Sequence, residues 1–242
     1  KVKIQSMKII SDFSPNFSKK TRLIKEIRFL IFHYTGMQSE IESLLRLKDP
    51  KFKVSSHYLI NRKGEITQMV LDHKIAWHAG KSRWKQFVNL NKYSIGIELV
   101  NKGHQFGYEN FSKNQITSLI KLCKILKKKY FIKSENFLGH SDIAPLRKKD
   151  PGERFPWKKL SYYKIGEWYE EKKREKIKVD KKKFRIVFFK NLKKIGFRYF
   201  NVYKKTVREK KIIKSFQQHY LPQNVTGKID QKTLKISHLL SK

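Results

Sequence analysis

Apolar and polar positions alternate along this chain in blocks that predict separate strands and helices. Phe29–Phe32 is an unbroken apolar run, predicting a buried strand that ends in His33. Gln38–Leu47 reads as a short helix closed by Asp49-Pro50. Ser55–Asn61 and Glu65–Leu71 are strand-like, and Arg62-Lys63-Gly64 between them predicts a hairpin. In Ser94–Val100 the period is two, so Ile95, Ile97 and Leu99 share one face while Glu98 points to the other. Ser112–Tyr130 predicts a long amphipathic helix with Ser112 as its cap. Phe137–Asp150 returns as strand and loop, and the opening twenty residues read as polar and irregular.

The pattern changes after Trp168. Residues 169–183 carry a dense charge run, expected to be a solvated helix or linker. Phe184–Ile195 has helical spacing and stops at Gly196, a C-cap residue; Val207–Tyr220 predicts a second helix, and a third begins near Asp230. The expected fold class is therefore α+β: a mixed sheet flanked by helices in residues 1–168, with its core in 15–168. A small all-α three-helix unit occupies 184–242.

Composition adds bounds. With 242 residues the chain can hold one fair-sized domain and a small one, and 39% hydrophobic residues suffice for real cores. The formal charge of +37 would suit a polyanion, but lysines fall in nearly every segment rather than in one stripe. A solvated surface is the expected meaning, and no groove-reading motif points to specific nucleic-acid binding. The single cysteine, Cys123, excludes an intrachain disulfide; it shares helical spacing with Ile116, Leu119, Ile120 and Leu126, which predicts a core thiol. No apolar stretch approaches the length of a membrane span. A chain starting at Lys1 is expected to be a mature or trimmed product, whose export signal or lipid anchor would lie upstream.

Three distant side chains carry the candidate chemistry. His33 ends its strand, His140 sits in Gly139-His-Ser-Asp-Ile-Ala-Pro145, and Asp150 lies in Arg147-Lys-Lys-Asp-Pro-Gly152. Two imidazoles and a carboxylate are the donors of a three-ligand zinc site whose fourth position is left to water, the pattern of a catalytic rather than a structural metal.

Those segments, together with Phe32-His-Tyr-Thr35, Ser56-His-Tyr-Leu-Ile60, Ala76-Trp-His-Ala-Gly80, Ser94-Ile-Gly-Ile-Glu-Leu99 and Phe155-Pro-Trp157, occur in one order over roughly residues 15–168. As an ordered set they resemble the zinc-dependent N-acetylmuramoyl-L-alanine amidases of the type-2 (AmpD/AmiD-like) superfamily, which also contains peptidoglycan recognition proteins. The tail, Phe216-Gln-Gln-His-Tyr-Leu-Pro-Gln-Asn-Val-Thr-Gly227 with Asp230, Thr233 and Leu234, is similar to a peptidoglycan-binding helical module. An amidase followed by such a module is the arrangement of the AmiD-like subgroup.

The resemblance implies a Zn2+ cofactor held by His33, His140 and Asp150, with Glu98 as the catalytic acid/base and Lys148 stabilising an oxyanion. It implies hydrolysis of the amide between the lactyl group of N-acetylmuramic acid and L-alanine, in peptidoglycan or muropeptides. A restriction to 1,6-anhydro-muropeptides, or non-catalytic recognition on the same fold, stays open at this point. Trp77, His78 and Arg147 are candidates for gripping the sugar or the stem peptide. His57 is expected to make a structural hydrogen bond, and His73, His104, His219 and His238 receive no chemistry. Catalytic recognition proteins usually place a cysteine where Asp150 stands, so the chain sides with the bacterial amidases. The substrate implies a cell-envelope location, periplasmic in character, with the cytoplasm as the alternative. Oligomeric state is left open.

Overall fold

The computed structural model describes residues 8–170 and 179–242, so residues 171–178 of the expected charged linker lie outside the described residues. Six strands among the described residues form the main sheet. Their spatial order is β1 (Ile9–Ser11), β5 (Ile66–Gln68), β4 (Tyr58–Ile60), β9 (Ser94–Leu99), β3 (Phe29–Tyr34), β10 (Phe137–Gly139). Only the β4–β5 hairpin is antiparallel; the other neighbours run parallel, which makes the sheet mixed, as expected. Two small ribbons pair β2 (Phe17–Thr21) with β6 (Lys74–Ala76) and β7 (Arg83–Trp84) with β8 (Phe87–Val88).

The opening residues depart from expectation. They are not wholly irregular, because β1 extends the sheet edge and β2 pairs with β6. Both are short, largely exposed strands held by backbone pairing, so no buried apolar stripe announces them.

The helices are α1 (Glu40–Lys48), α2 (Lys113–Tyr130), α3 (His140–Ile143), α4 (Trp157–Ser161), α5 (Phe184–Ile195), α6 (Glu209–Tyr220) and α7 (Gln231–Leu240). Helix α2 starts as predicted: the Ser112 side chain accepts from the Gln115 amide, and the Gln115 side chain returns to the Ser112 amide. Its inner face, with Ile116, Leu119 and a fully buried Cys123, packs on Leu30, Phe32, Ile95, Ile97 and Leu99 of the sheet.

The opposite face of β3 and β10 presents Phe29, Ile31 and Leu138. These join one apolar cluster with Phe188, Phe189 and Leu192 of α5, Ile212 and Phe216 of α6, and Leu234 and Ile236 of α7. At about 25 cal/mol per Å² of apolar surface, a joint containing this many aromatic side chains is a substantial share of the folding energy. The α5–α7 helices thus pack continuously onto the sheet.

Strands β3, β9 and β10 are parallel, so their carboxyl ends lie at one edge. Open α/β sheets bind ligands at that edge. The register sets His33 beside Glu98, and Phe32 beside Gly139 with His140 next in the chain.

Candidate metal centre and active-site cleft

Sheet register brings the three predicted metal-binding residues together. His33 Nδ1 lies 2.9 Å from His140 Nδ1 and 2.9 Å from Asp150 Oδ2, and His140 Nδ1 lies 3.0 Å from the same oxygen. Among the described residues this is the one cluster of three or more His, Cys, Asp or Glu whose atoms could share a metal ion. A backbone hydrogen bond of 2.8 Å from the Ser141 amide to the Asp150 carbonyl closes the loop between the second and third of them.

Protonation states fit a cation. Burial, then the neighbouring His140, lowers His33 to about 4, so its ring is neutral near pH 7. Burial opposes ionisation of Asp150, yet contacts with His140 and His33 outweigh it and hold the carboxyl well below its usual range. His140 Nε2 lies 3.1 Å from the Ala79 carbonyl and 3.2 Å from Arg147 Nη2, while its Nδ1 faces His33 and Asp150. An ionised carboxylate has no proton to offer. Lone pairs crowded at these distances repel unless a positive charge lies among them, and imidazole with carboxylate is a donor set that zinc accepts.

Glu98 sits beside His33 across the β3–β9 pair and points away from the α2 core, as its strand parity predicts. Its Oε2 is buried without a hydrogen-bond partner. Burial, then the negative charge of Asp150, pushes Glu98 up to about 8, while Lys148 pulls the other way. Glu98 and Lys148 both line a cavity of about 640 Å³, together with His33, His140 and Asp150. Lys148 is exposed on that wall. A candidate metal-binding trio, a carboxyl group whose pKa is raised to about 8 and the Lys148 side chain therefore open onto one space, a constellation suited to hydrolysis.

The three residues expected to grip substrate fare differently. Trp77 is half-buried and does not line the cavity; its backbone amide donates to Ser55 Oγ. Arg147 lines it, but its Nε and Nη2 donate to the backbone carbonyls of Lys81 and Ala79, leaving less of the guanidinium for a carboxylate clamp. His78 lines the cavity too, but it is buried, and its ring nitrogens face the protein, Nδ1 toward His33 and Nε2 toward Ser94. His57 makes the structural bond expected of it, accepting from the Gly96 amide at Nδ1.

Two histidines without an expected role occupy informative places. His104 lines the cavity, linking Tyr34 at Nδ1 to Glu153 at Nε2. His219 of α6 is buried on Asp142 of α3, two residues from His140. Neither lies in a motif that spacing could single out.

Fold and site together define a hydrolase whose cleft, at the carboxyl edge of a mixed sheet, holds a candidate metal-binding cluster. A family model described as N-acetylmuramoyl-L-alanine amidase (Amidase_2) matches residues 24–153, and the chain belongs to that family. It is 37% identical over 229 residues to the N-acetylmuramoyl-L-alanine amidase AmiD of Escherichia coli (strain K12), covering 88% of this chain and 82% of that one. To the Haemophilus influenzae 1,6-anhydro-N-acetylmuramyl-L-alanine amidase AmpD it is 35% identical over 164 residues, covering 60% of this chain and 86% of the relative.

Solved structures agree. The complex of Escherichia coli AmiD with the substrate anhydro-N-acetylmuramic acid-L-Ala-D-gamma-Glu-L-Lys superposes with a TM-score of 0.78 at 33% identity, covering 92% of this chain and 91% of that one. Pseudomonas aeruginosa AmpDh3 superposes with a TM-score of 0.79 at 29% identity, covering 93% and 95%. The activity of the chain is that of an N-acetylmuramoyl-L-alanine amidase in peptidoglycan turnover.

Proposed function

We propose that the chain is a zinc-dependent amidase in which His33, His140 and Asp150 hold the ion. The observation that carries this is the convergence of their three donor atoms on the cavity wall that also presents Glu98. Held by these residues, zinc would supply Lewis acidity for the attacking water and the scissile carbonyl. Glu98, in its ionised form, takes the proton of the attacking water and returns it to the departing amine of L-alanine. Lys148 offsets the negative charge that gathers on the carbonyl oxygen. Depressed His33 and Asp150 pKa values keep the His33 ring neutral and the Asp150 carboxylate ionised through the neutral range.

The substrate proposed is a muropeptide, the 1,6-anhydro form included, because AmiD of Escherichia coli is seen with such a molecule. Residues 184–242 are proposed as a peptidoglycan-binding module that keeps the cleft near its polymer. The location proposed is the cell envelope. No helix among the described residues is long and apolar enough to cross a membrane.

The test is mass spectrometry of stem-peptide release from purified muropeptides, reduced and anhydro, with and without a chelator. Chelation is expected to abolish release, and zinc to restore it. Glu98→Gln is expected to lower kcat/KM by about 10²- to 10⁴-fold while metal content stays at the wild-type level. Equal rates in wild type and variant would remove Glu98 from the chemistry.

A further inference from the structure

His78 is buried beneath the metal-binding trio, and its surroundings fix the direction of every hydrogen bond it makes. Ser94 Oγ lies 2.6 Å from the Leu90 carbonyl. A carbonyl only accepts, so the one hydroxyl proton of Ser94 is committed there. Ser94 Oγ also lies 3.1 Å from His78 Nε2, so it accepts and Nε2 carries the ring proton. Neutral His78 then has a bare Nδ1, and that atom lies 3.0 Å from His33 Nε2. His33 must donate from Nε2. Its Nδ1, the atom facing His140 and Asp150, is left with a lone pair.

We propose that His78 and Ser94 are positioning residues, forming a one-way relay from the Leu90 carbonyl that locks His33 in the metal-binding tautomer. The relay rests on the proposal that His33, His140 and Asp150 hold a metal ion. Fixing a ligand histidine through its second nitrogen sets both its tautomer and its ring angle.

The mounting of His78 supports this role. Its backbone amide and that of Ala79 both donate to Asn91 Oδ1, at 3.1 and 2.6 Å, which anchors the segment under the site. Gly96 leaves the ring its place: a Cβ at that position would collide with His78 Cγ. The His78 and His33 rings meet edge to face at 5.2 Å between centroids. The glycine of Ser94-Ile-Gly-Ile-Glu and the histidine of Ala76-Trp-His-Ala-Gly are thus halves of one fitting.

The experiment measures zinc affinity by competition with a chromophoric chelator for the full chain and its His78→Ala, His78→Asn and Ser94→Ala variants. His78→Ala is expected to bind about 10- to 100-fold more weakly. Ser94→Ala is expected to lose less, and His78→Asn, which keeps an acceptor oxygen near the Nδ1 position, to recover part of the loss. Long-range proton–nitrogen NMR spectra of the metal-free wild type are expected to show His78 with its proton on Nε2.

Unchanged affinity in both alanine variants overturns the relay, as does a His78 proton on Nδ1. Should His78→Ala fail to fold, Ser94→Ala and the wild-type spectrum decide the matter. A wild-type chain that binds no zinc overturns the metal-centre proposal instead, and the spectrum then judges the relay alone.

Discussion

Helix α3 carries two buried histidine–aspartate contacts that differ in kind. At its first residue, His140 meets Asp150 and His33 at the wall of a cavity of about 640 Å³. Two residues on, Asp142 turns the other way and accepts from His219 Nδ1 at 2.8 Å and from the Gly139 amide at 2.7 Å. The His219 ring is stacked between Trp157 and Tyr220, at 3.7 and 3.9 Å between centroids. Residue types and burial are alike. What separates them is that the first contact has a third donor and opens onto a cavity, whereas the second is sealed by aromatics, with Asp142 Oδ1 and His219 Nε2 buried without a partner. Convergent lone pairs with access mark a chemical centre; a pair sealed away from access marks a joint.

Substitutions can break this contrast. Asp150→Asn is expected to lower kcat/KM by at least about 10³-fold and to abolish stoichiometric zinc, with a fold intact by circular dichroism. A variant with full metal content and activity would undo the contrast from the catalytic side. Asp142→Ala and His219→Ala are expected to do the reverse. Each strands a buried partner and is expected to cost about 3 kcal/mol of stability, read by denaturant unfolding, while folded protein keeps its metal stoichiometry.

Glu98 sharpens the picture through pH. In metal-free protein, folded Glu98 holds its proton up to about 8, whereas the unfolded carboxyl has released it above its ordinary 4.5. The folded state then binds more protons than the unfolded one, so stability falls as pH rises through that interval. His33, His57 and His78, all lowered from 6.5, act in the opposite sense only below that value. Between about 6.5 and 8 the decline therefore isolates Glu98, and thermal melts of Glu98→Gln are expected to be flat there. The smallest effect belongs to Ser215, whose hydroxyl donates to the Ser141 carbonyl at 2.8 Å across the same joint. Ser215→Ala is expected to cost about 1 kcal/mol with kcat unchanged.

Much of the fold is legible where a buried face imposes a period. Strand β9 and helix α2 follow their predicted parity and cap, and helix α5 ends at Gly196 as expected. The convergence of His33, His140 and Asp150 is legible because its members sit in ordered motifs. Edge strands β1 and β2 are not, since exposed backbone pairing leaves no apolar signature. Nor are the partners of His78 and His219: the first faces His33 and Ser94, and the second meets an aspartate 77 residues away. Motif order shows that a histidine matters, but only packing shows which atom its second nitrogen faces.

The joint on α3 also shapes what a long substrate meets. A second cavity, of about 500 Å³, takes Arg147, Lys148 and Lys149 from the catalytic loop and Lys211, Lys214 and Gln218 from α6. His104, Arg147, Lys148 and Lys149 border both hollows, so the terminal helices supply one wall of the space adjoining the cleft. The terminal helices act there as masonry, a fixed bank beside the cleft.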